Sequence, residues 1–281
     1  MKRLFGLIKT NIMQLVQVWL AVFLLCSGSA FASNSPAIAV AANVKFAVDD
    51  IAQQFKQDTG LSVRLSYGSS GNFVSQIQHG APFELLISAD EFYPQQLHQA
   101  KLTPDEGLVY ALGRVAIAAP KRSSLKLDSQ LQGLADLANT GALTRFAIAN
   151  PAHAPYGEVA KQILQQKQLW QAIETKVIMG ENASQATQFA VSGSTQGGIV
   201  PLSLALAPNF SRMGQYVEVD PDLYQPIKQR MILTNKATDT SIQFYQYMQS
   251  EFAKAVLKKY GFSVPATPHT ASASDLSIRA Q

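Results

Sequence analysis

The chain repeats one local pattern along most of its length, a short apolar segment followed by an amphipathic segment. In the first part of the chain, the apolar segments favour strands, and the segments between them place apolar residues at helical spacing. The predicted strands and helices here are, in order, residues 38–42, 44–57, 61–67, 71–79, 84–88 and 92–100. Regular alternation of strands and helices is typical of α/β proteins with a parallel sheet. The predicted fold class is therefore α/β.

The helix at 44–57 has clear predicted ends. Asn43 precedes its first apolar residue as the predicted N-cap, and Gly60 follows its last turn. Asn is among the residues preferred just before a helix, and Gly is preferred just after one. The first strand is therefore expected to lead through Asn43 directly into a helix.

The same pattern restarts in the second part of the chain. A long apolar segment at 108–119 is predicted as one strand that ends at Pro120. Further strands are predicted near residues 146–149, 176–179, 198–201 and 216–219. An apolar run at 227–234 then leads into a helical region at 240–260, which is broken near Ser250. The restart predicts a second lobe.

The length of the chain fits two lobes better than one average domain. We expect a discontinuous lobe 1, residues 37–115 and 230–263, and a lobe 2 of residues 116–229. A chain that crosses twice between lobes forms a two-strand hinge, and open α/β sheets bind ligands beyond the carboxyl ends of their strands. The ligand cleft is therefore expected between the lobes. Residues 264–281, rich in small and polar residues, are expected to form a disordered tail.

Residues 1–32 have the composition of a cleaved secretory signal peptide. Basic residues precede an apolar run at 18–25, and small residues end the segment. The apolar run is shorter than the roughly 20 residues that a membrane-spanning helix needs. Cys26 follows Leu25, where a lipoprotein signal would have a small residue. We therefore expect cleavage without lipid anchoring, and a periplasmic protein.

Composition argues against several classes of function. Three of the 23 basic residues and none of the 19 acidic residues lie in 1–32, so loss of that segment lowers the net charge from +4 to +1. A nearly neutral protein has little attraction for nucleic acids. Without Cys26 the chain has no thiol, and its histidines lack the spacing of a metal site. We expect neither a cofactor nor a metal cation nor a nucleic-acid partner.

Four strand-to-helix junctions carry small or polar residues that suit anion binding. They lie at residues 41–43, 68–71, 150–158 and 180–183. The first turn of a helix has unpaired backbone N–H groups and partial positive charge, which attract an anion without a cationic side chain. Because parallel strands direct their carboxyl ends to one side, we expect the four junctions to share one oxyanion site.

Several short motifs occur in a particular order. They are Val-Ala-Ala-Asn at 40–43, Gly-Ser-Ser-Gly at 68–71, Gly-Ala-Pro-Phe-Glu-Leu-Leu-Ile-Ser-Ala-Asp at 80–90, Asn-Pro at 150–151 with Ala-Pro-Tyr-Gly at 154–157, Gly-Gly-Ile-Val at 197–200 and Lys-Tyr-Gly-Phe at 259–262. In this order and spacing, the chain resembles the periplasmic molybdate-binding proteins, the solute receptors of molybdate ABC importers. The resemblance spans roughly residues 38–263.

The resemblance implies a two-lobed periplasmic-binding-protein (type II) fold. It implies a monomeric receptor, not an enzyme, that captures molybdate and also tungstate for an ABC transporter permease with a cytoplasmic ATPase. By position, Asn43 and Ser70 correspond to polar residues that bind the anion. Tyr156 corresponds to a residue that gives a backbone N–H and, in one branch of the family, a hydroxyl. Ala183 corresponds to a residue that gives a backbone N–H.

One position departs from the family pattern. Where some members have a binding tyrosine after Gly-Ile-Val, this chain has Pro201, which has neither a hydroxyl nor an N–H. The resemblance therefore places the chain in the branch where Tyr156 can take over that contact. One alternative is the same fold with sulfate, phosphate or a small organic acid as ligand. Another is an exported hydrolase that uses the serine-rich turn at 68–71, although the G-x-S-x-G spacing is missing.

The chemistry of molybdate suits a site made of donors. At neutral pH molybdate is a tetrahedral dianion, and its oxygens only accept hydrogen bonds. Phosphate still carries a proton and needs an acceptor, for which Glu181 is the nearest candidate in the four junctions. Sulfate has the same charge and shape as molybdate, so only the size of the cavity can exclude it.

Each candidate residue also has a purely structural interpretation. Asn43 and Ser70 could satisfy helix ends as in any α/β protein. Tyr156 could lie at the rim without touching an anion. Lys45, in the first helical turn, and His153, in a turn, could both face water.

Overall fold

The computed structural model of the protein describes residues 35–265. The predicted signal peptide at 1–32 lies outside this range, as does the predicted tail at 264–281 except for its first two residues. The strands are β1 (Ala37–Ala41), β2 (Arg64–Gly68), β3 (Phe83–Ile87), β4 (Leu108–Gly113), β5 (Val115–Pro120), β6 (Phe146–Ala149), β7 (Val177–Gly180), β8 (Gly198–Pro201), β9 (Gly214–Glu218) and β10 (Ile227–Leu233). The α-helices are α1 (Lys45–Thr59), α2 (Ser70–Gln78), α3 (Phe92–Gln99), α4 (Gln132–Asn139), α5 (Pro155–Gln166), α6 (Trp170–Ile173), α7 (Ala183–Val191), α8 (Leu202–Ala205), α9 (Phe210–Met213), α10 (Asp239–Tyr247) and α11 (Glu251–Lys259). None of the helices between residues 35 and 265 combines the length and apolarity needed to cross a membrane.

The strands form two five-stranded sheets with equivalent topology. The first sheet has the order β2-β1-β3-β10-β4, and the second has the order β7-β6-β8-β5-β9. In the first sheet β1 is parallel to β2 and β3, and β10 is antiparallel to β3 and β4. In the second sheet β6 is parallel to β7 and β8, and β5 is antiparallel to β8 and β9. We call the layers built on the first sheet lobe 1 and those built on the second sheet lobe 2. The predicted fold of two α/β lobes is confirmed.

The chain passes between the two sheets twice. β4 leads into β5 through Arg114 alone, and residues 219–226 lead from β9 back to β10. The prediction of one strand at 108–119 is wrong, because its two halves pair in different sheets. Gly113 precedes the break, and a Cβ atom there would lie 2.2 Å from the Tyr156 hydroxyl oxygen. The predicted two-strand hinge is therefore present, with a glycine where it passes a buried side chain.

Local sequence explains where two helices of lobe 1 end and begin. α1 stops at Gly60, which has φ of 73° and donates its backbone N–H to the carbonyl oxygen of Lys56 at 3.0 Å. The predicted break near Ser250 separates α10 from α11. The Ser250 hydroxyl accepts the backbone N–H of Ala253 at 3.1 Å, as an N-cap does.

Helices cover both faces of each sheet. In lobe 1, α1, α10 and α11 pack on one face and α2 and α3 on the other. In lobe 2, α4 and α5 pack on one face and α7 to α9 on the other. Ala41 is the last residue of β1, and Ala89 lies two residues after the end of β3. Both residues pack within the core of lobe 2. The strand ends of lobe 1 are therefore buried against lobe 2.

Candidate functional site

Four strand ends carry the four residues predicted to bind an oxyanion. Asn43 lies in a 3₁₀ turn (Ala42–Val44) after β1, and Ser70 is the first residue of α2, after β2. Tyr156 is the second residue of α5, and Ala183 is the first residue of α7, after β7. Their exposed fractions are 1%, 0%, 3% and 6% in that order. Each lobe therefore contributes two buried candidates.

Hydrogen bonds join the lobes beside Asn43. The Ser184 hydroxyl donates to the carbonyl oxygen of Ala42 at 3.1 Å, and the Ser203 hydroxyl donates to that of Asn43 at 2.7 Å. Since Ser184 follows Ala183, the start of α7 lies against the turn that holds Asn43. Ser203 was not predicted as a site residue. It follows the end of β8, which is a fifth strand-to-helix junction, and that position is the signal that could have found it.

Asn43 does not cap a helix. Its Nδ2 donates to Gln229 Oε1 at 3.0 Å, whereas the N-cap of α1 is Val44, without a side-chain hydrogen bond. The predicted N-cap at Asn43 is therefore wrong, because the chain makes a 3₁₀ turn before α1 begins. Gln229 Nε2 in turn donates to the Tyr156 hydroxyl at 3.0 Å. One buried amide thus connects Asn43 of lobe 1 with Tyr156 of lobe 2.

Ser70 is arranged as a hydrogen-bond donor. Its hydroxyl oxygen accepts the backbone N–H of Ala89 at 3.1 Å. A hydroxyl accepts through its lone pairs and has one proton to give, so this contact leaves the Ser70 proton for another acceptor. As the first residue of α2, Ser70 also has a backbone N–H without an acceptor inside the helix. Ser70 can therefore give two hydrogen bonds to one oxyanion.

Tyr156 is a buried, neutral phenol. Burial raises the pKa of Tyr156 well above its ordinary value, and the nearby Tyr224 adds to the effect. Hydrogen bonds from Gln229, Asn43 and the backbone N–H of Arg114 offset part of this rise in pKa. Since Gln229 Nε2 donates to the hydroxyl oxygen, the Tyr156 proton is left for another acceptor. Its burial excludes the interpretation of Tyr156 as a rim aromatic.

A second set of contacts joins the lobes at the edge of the cleft, and we call these the rim contacts. The backbone N–H of Gly71 donates to His153 O at 3.0 Å, and His153 Nδ1 lies 3.0 Å from Ser69 Oγ. His153 Nε2 lies 3.6 Å from one oxygen of Glu181, and Asn72 Nδ2 donates to the other at 2.5 Å. The His153 side chain is 19% exposed, so it lies between the lobes and does not face water. The Glu181 carboxylate is held at the edge by these two partners.

Charged side chains near the site have partners of their own. Lys45 Nζ pairs with Asp49 at 2.9 Å and lies 4.1 Å from the centre of the Tyr67 ring. Pro201 is buried at the end of β8. Across residues 35–265, no group of three or more His, Cys, Asp and Glu side chains is placed to hold a metal ion. The arrangement therefore presents neutral donors at helix starts.

Comparison with known proteins gives consistent results. Residues 37–263 match the family of bacterial extracellular solute-binding proteins. The chain is 35% identical over 230 residues to the molybdate-binding protein ModA of Azotobacter vinelandii, which covers 81% of this chain and 89% of that protein. It is 32% identical over 234 residues to the ModA of Rhodobacter capsulatus, which covers 80% of this chain and 86% of that one. The solved structure of the periplasmic molybdate-binding protein of A. vinelandii superimposes with a TM-score of 0.75 at 27% identity, covering 83% of this chain and 100% of that one.

Proposed function

Because the chain belongs to the family of bacterial extracellular solute-binding proteins, we propose that it is a periplasmic receptor that captures molybdate and tungstate. Its relatives at 35% and 32% identity are named for molybdate binding. The observation that carries the proposal is the Ser70 hydroxyl, which is fully buried and has its acceptor side occupied by Ala89. A buried hydroxyl that donates no hydrogen bond to the described residues has a proton for a ligand that can only accept.

The proposed site holds the anion with neutral donors from both lobes. Asn43 and Ser70 contribute from lobe 1, and Tyr156 and Ala183 contribute from lobe 2. Hydrogen bonds to a charged acceptor are stronger than neutral ones, and each helix start can add a few tenths to about 1 kcal/mol through its dipole. No resident cofactor and no metal cation belong to this proposal, since molybdate enters as an oxyanion.

Capture works by closure of the two lobes on the anion. A ligand that contacts both lobes stabilises the arrangement in which they touch and shifts the population toward it. We propose that a membrane permease driven by a cytoplasmic ATPase recognises the outer surface of this closed, monomeric receptor. Residues 1–32 would direct export as a cleavable signal peptide.

One observation favours a second ligand class. Asn43 Oδ1 is buried and has no hydrogen-bond partner within the described residues. An acceptor at this position would suit an oxyanion that still carries a proton, such as hydrogen phosphate. Phosphate, sulfate and small organic acids are therefore the ligands to test against molybdate.

The exported hydrolase remains the third alternative, and one contact bears on it. Ser69 and His153 lie 3.0 Å apart, with Glu181 3.6 Å beyond the imidazole. This order of groups resembles a catalytic triad. However, Ser69 is 4% exposed, and the separation of His153 from Glu181 exceeds a hydrogen bond. We propose that these residues join the lobes, and ester or phosphoester turnover that is lost in Ser69→Ala would contradict this.

Isothermal titration calorimetry of the purified protein lacking residues 1–32 tests the proposed ligand. Molybdate, tungstate, sulfate and phosphate are titrated in turn. We expect tight one-to-one binding of molybdate and tungstate, because the site is built from donors. Phosphate should give no heat because it carries a proton and needs an acceptor, and sulfate should give none only if the size of the cavity excludes it. Trp170 is the only tryptophan outside residues 1–32, so its fluorescence gives an independent binding signal from lobe 2. Binding of phosphate or sulfate alone would favour the second ligand class. An absence of heat with all four anions would contradict the proposal that the protein is an oxyanion receptor.

A further inference from the structure

Gln229 is a fully buried polar side chain at the point where the hinge meets the proposed site. It lies in β10, the strand that receives the chain when it returns to lobe 1, and it is 0% exposed. Its Oε1 accepts from Asn43 Nδ2 at 3.0 Å and from the Tyr110 hydroxyl at 2.8 Å. Its Nε2 donates to the Tyr156 hydroxyl at 3.0 Å. Gln229 therefore touches one proposed anion-binding side chain from each lobe.

The other hinge crossing packs against the same hydrogen bond. A Cβ atom at Gly113 would lie 2.5 Å from Gln229 Nε2 and 2.2 Å from the Tyr156 hydroxyl oxygen. The next residue, Arg114, joins β4 to β5 at the crossing between the lobes. Both strands of the hinge thus hold the contact between Gln229 and Tyr156 in place.

The direction of the hydrogen bonds through Gln229 leaves Asn43 with an unpaired acceptor. Asn43 Nδ2 donates a hydrogen bond to Gln229 Oε1, while Asn43 Oδ1 is buried without a partner in the part of the chain described. A buried polar atom without a hydrogen bond is costly. At a residue placed in an oxyanion site, an unpaired oxygen also repels the ligand. The Tyr156 proton, by contrast, is free in this arrangement.

Rotating two amides by 180° reverses this direction and gives the buried Asn43 Oδ1 a partner. Gln229 Nε2 would then donate to Asn43 Oδ1 and to the Tyr110 oxygen. Tyr110 would keep its hydrogen bond to the carbonyl oxygen of Ser88, now 3.1 Å away. Gln229 Oε1 would accept the proton of Tyr156. Asn43 Nδ2 would become the free donor in place of the Tyr156 hydroxyl.

We propose that Gln229 is a positioning residue whose amide orientation decides whether Asn43 or Tyr156 gives a side-chain hydrogen bond to the bound oxyanion. The inference rests on the proposed function. A fully ionised oxyanion selects the rotated arrangement, because that arrangement turns Asn43 Nδ2 toward it and removes the unpaired Oδ1. Gln229 acts through Asn43 and Tyr156 and does not itself touch the anion.

A double-mutant cycle on molybdate affinity tests this role. Gln229→Met keeps the length of the side chain but removes both ends of the amide. We expect Gln229→Met to weaken molybdate binding roughly tenfold, equal to about 1.4 kcal/mol. In the Asn43→Ala background the same change should cost less than about twofold, because the residue that Gln229 orients is gone. Gln188→Met, on the exposed side of α7, is the matched control and should leave affinity unchanged.

Thermal unfolding of each variant identifies any loss that comes from misfolding. If Gln229→Met does not fold, Tyr110→Phe is used in its place. Tyr110→Phe removes the hydroxyl that donates to Gln229 Oε1 and does not alter Asn43. Its effect should also shrink in the Asn43→Ala background. An equal loss of affinity from Gln229→Met with and without Asn43 would overturn the proposed role of Gln229, and so would an unchanged affinity. Either result would leave the proposed function standing. A wild-type protein that binds no oxyanion would overturn the proposed function and this inference together.

Discussion

Single residues in the cleft owe their chemistry to a neighbour that fixes the direction of their hydrogen bonds. The amide N–H of Ala89 occupies one lone pair of the Ser70 hydroxyl and leaves the hydroxyl proton for another acceptor. The side chain is 0% exposed, so water does not compete for its proton. A serine would otherwise be ambiguous, since its hydroxyl can either give or accept.

Ser70→Ala should weaken molybdate binding by about 1 to 3 kcal/mol, because a buried oxyanion loses one donor. Titration calorimetry against the wild-type protein measures the loss. Ser75→Ala is the matched control, since Ser75 lies in the same helix on its exposed side. Affinity that survives Ser70→Ala intact would remove Ser70 from the site.

At the scale of elements, the start of α2 in lobe 1 contacts the turn before α5 in lobe 2. The start of α2 contributes Ser69 and Gly71, and the turn before α5 contributes His153. Each of these turns is held in place by its own lobe, but the rim contacts between the turns form only when the lobes touch. Contacts of this kind slow the opening of a cleft and have less influence on how fast the ligand enters.

His153→Ala should speed molybdate dissociation roughly three- to tenfold, because it removes side-chain contacts with Ser69 and Glu181 across the rim. The association rate should change little. Stopped-flow Trp170 fluorescence measures both rates. His79→Ala is the control, since the exposed His79 imidazole bonds only within α2, to the carbonyl oxygen of Ser75. A dissociation rate equal to that of the wild-type protein would contradict a role for the rim contacts in holding the lobes together.

At the scale of the whole molecule, a buried carboxyl makes stability depend on pH. Burial raises the pKa of Asp90 from 3.8 to about 6, and the hydrogen bond from the Ser88 hydroxyl only partly offsets this. The folded protein therefore binds more protons than the unfolded chain between about pH 4 and 6. The contribution of Asp90 to stability therefore falls as the pH rises through that interval, and the full cost of ionising Asp90 is present above it.

Asp90→Asn should stabilise the protein at pH 7.5 by about 1 to 3 kcal/mol and have no effect near pH 4. The Asn side chain can keep Oδ1 as acceptor for the Ser88 hydroxyl at 2.9 Å and the Tyr93 backbone N–H at 3.4 Å, without the charge. Urea unfolding at the two pH values measures the difference. Asp58→Asn is the control: hydrogen bonds from Tyr247 and Gln54 lower the pKa of this exposed carboxylate, so the change should bring no gain at pH 7.5. A gain for Asp90→Asn that is the same at both pH values would contradict the raised pKa.

Periodicity and local signals in the chain were enough to predict most elements. The predicted strands at 146–149 and 198–201 coincide with β6 and β8, and the break near Ser250 separates α10 from α11. These features depend on residues two to four positions apart, which is the range of strand alternation, helical turns and caps. The four strand-to-helix junctions were predictable for the same reason.

Long-range packing set the features that local patterns could not show. A largely apolar segment at 108–119 contains Arg114, and its halves join different sheets because each half pairs with strands far away in the chain. Asn43 reads as an N-cap, but its side chain bonds to Gln229, 186 positions later. Sequence periodicity carries no information on which distant side chain a buried polar group will meet. The sequence therefore specified the elements and the donor types at their ends, whereas folding chose the partners that orient those donors.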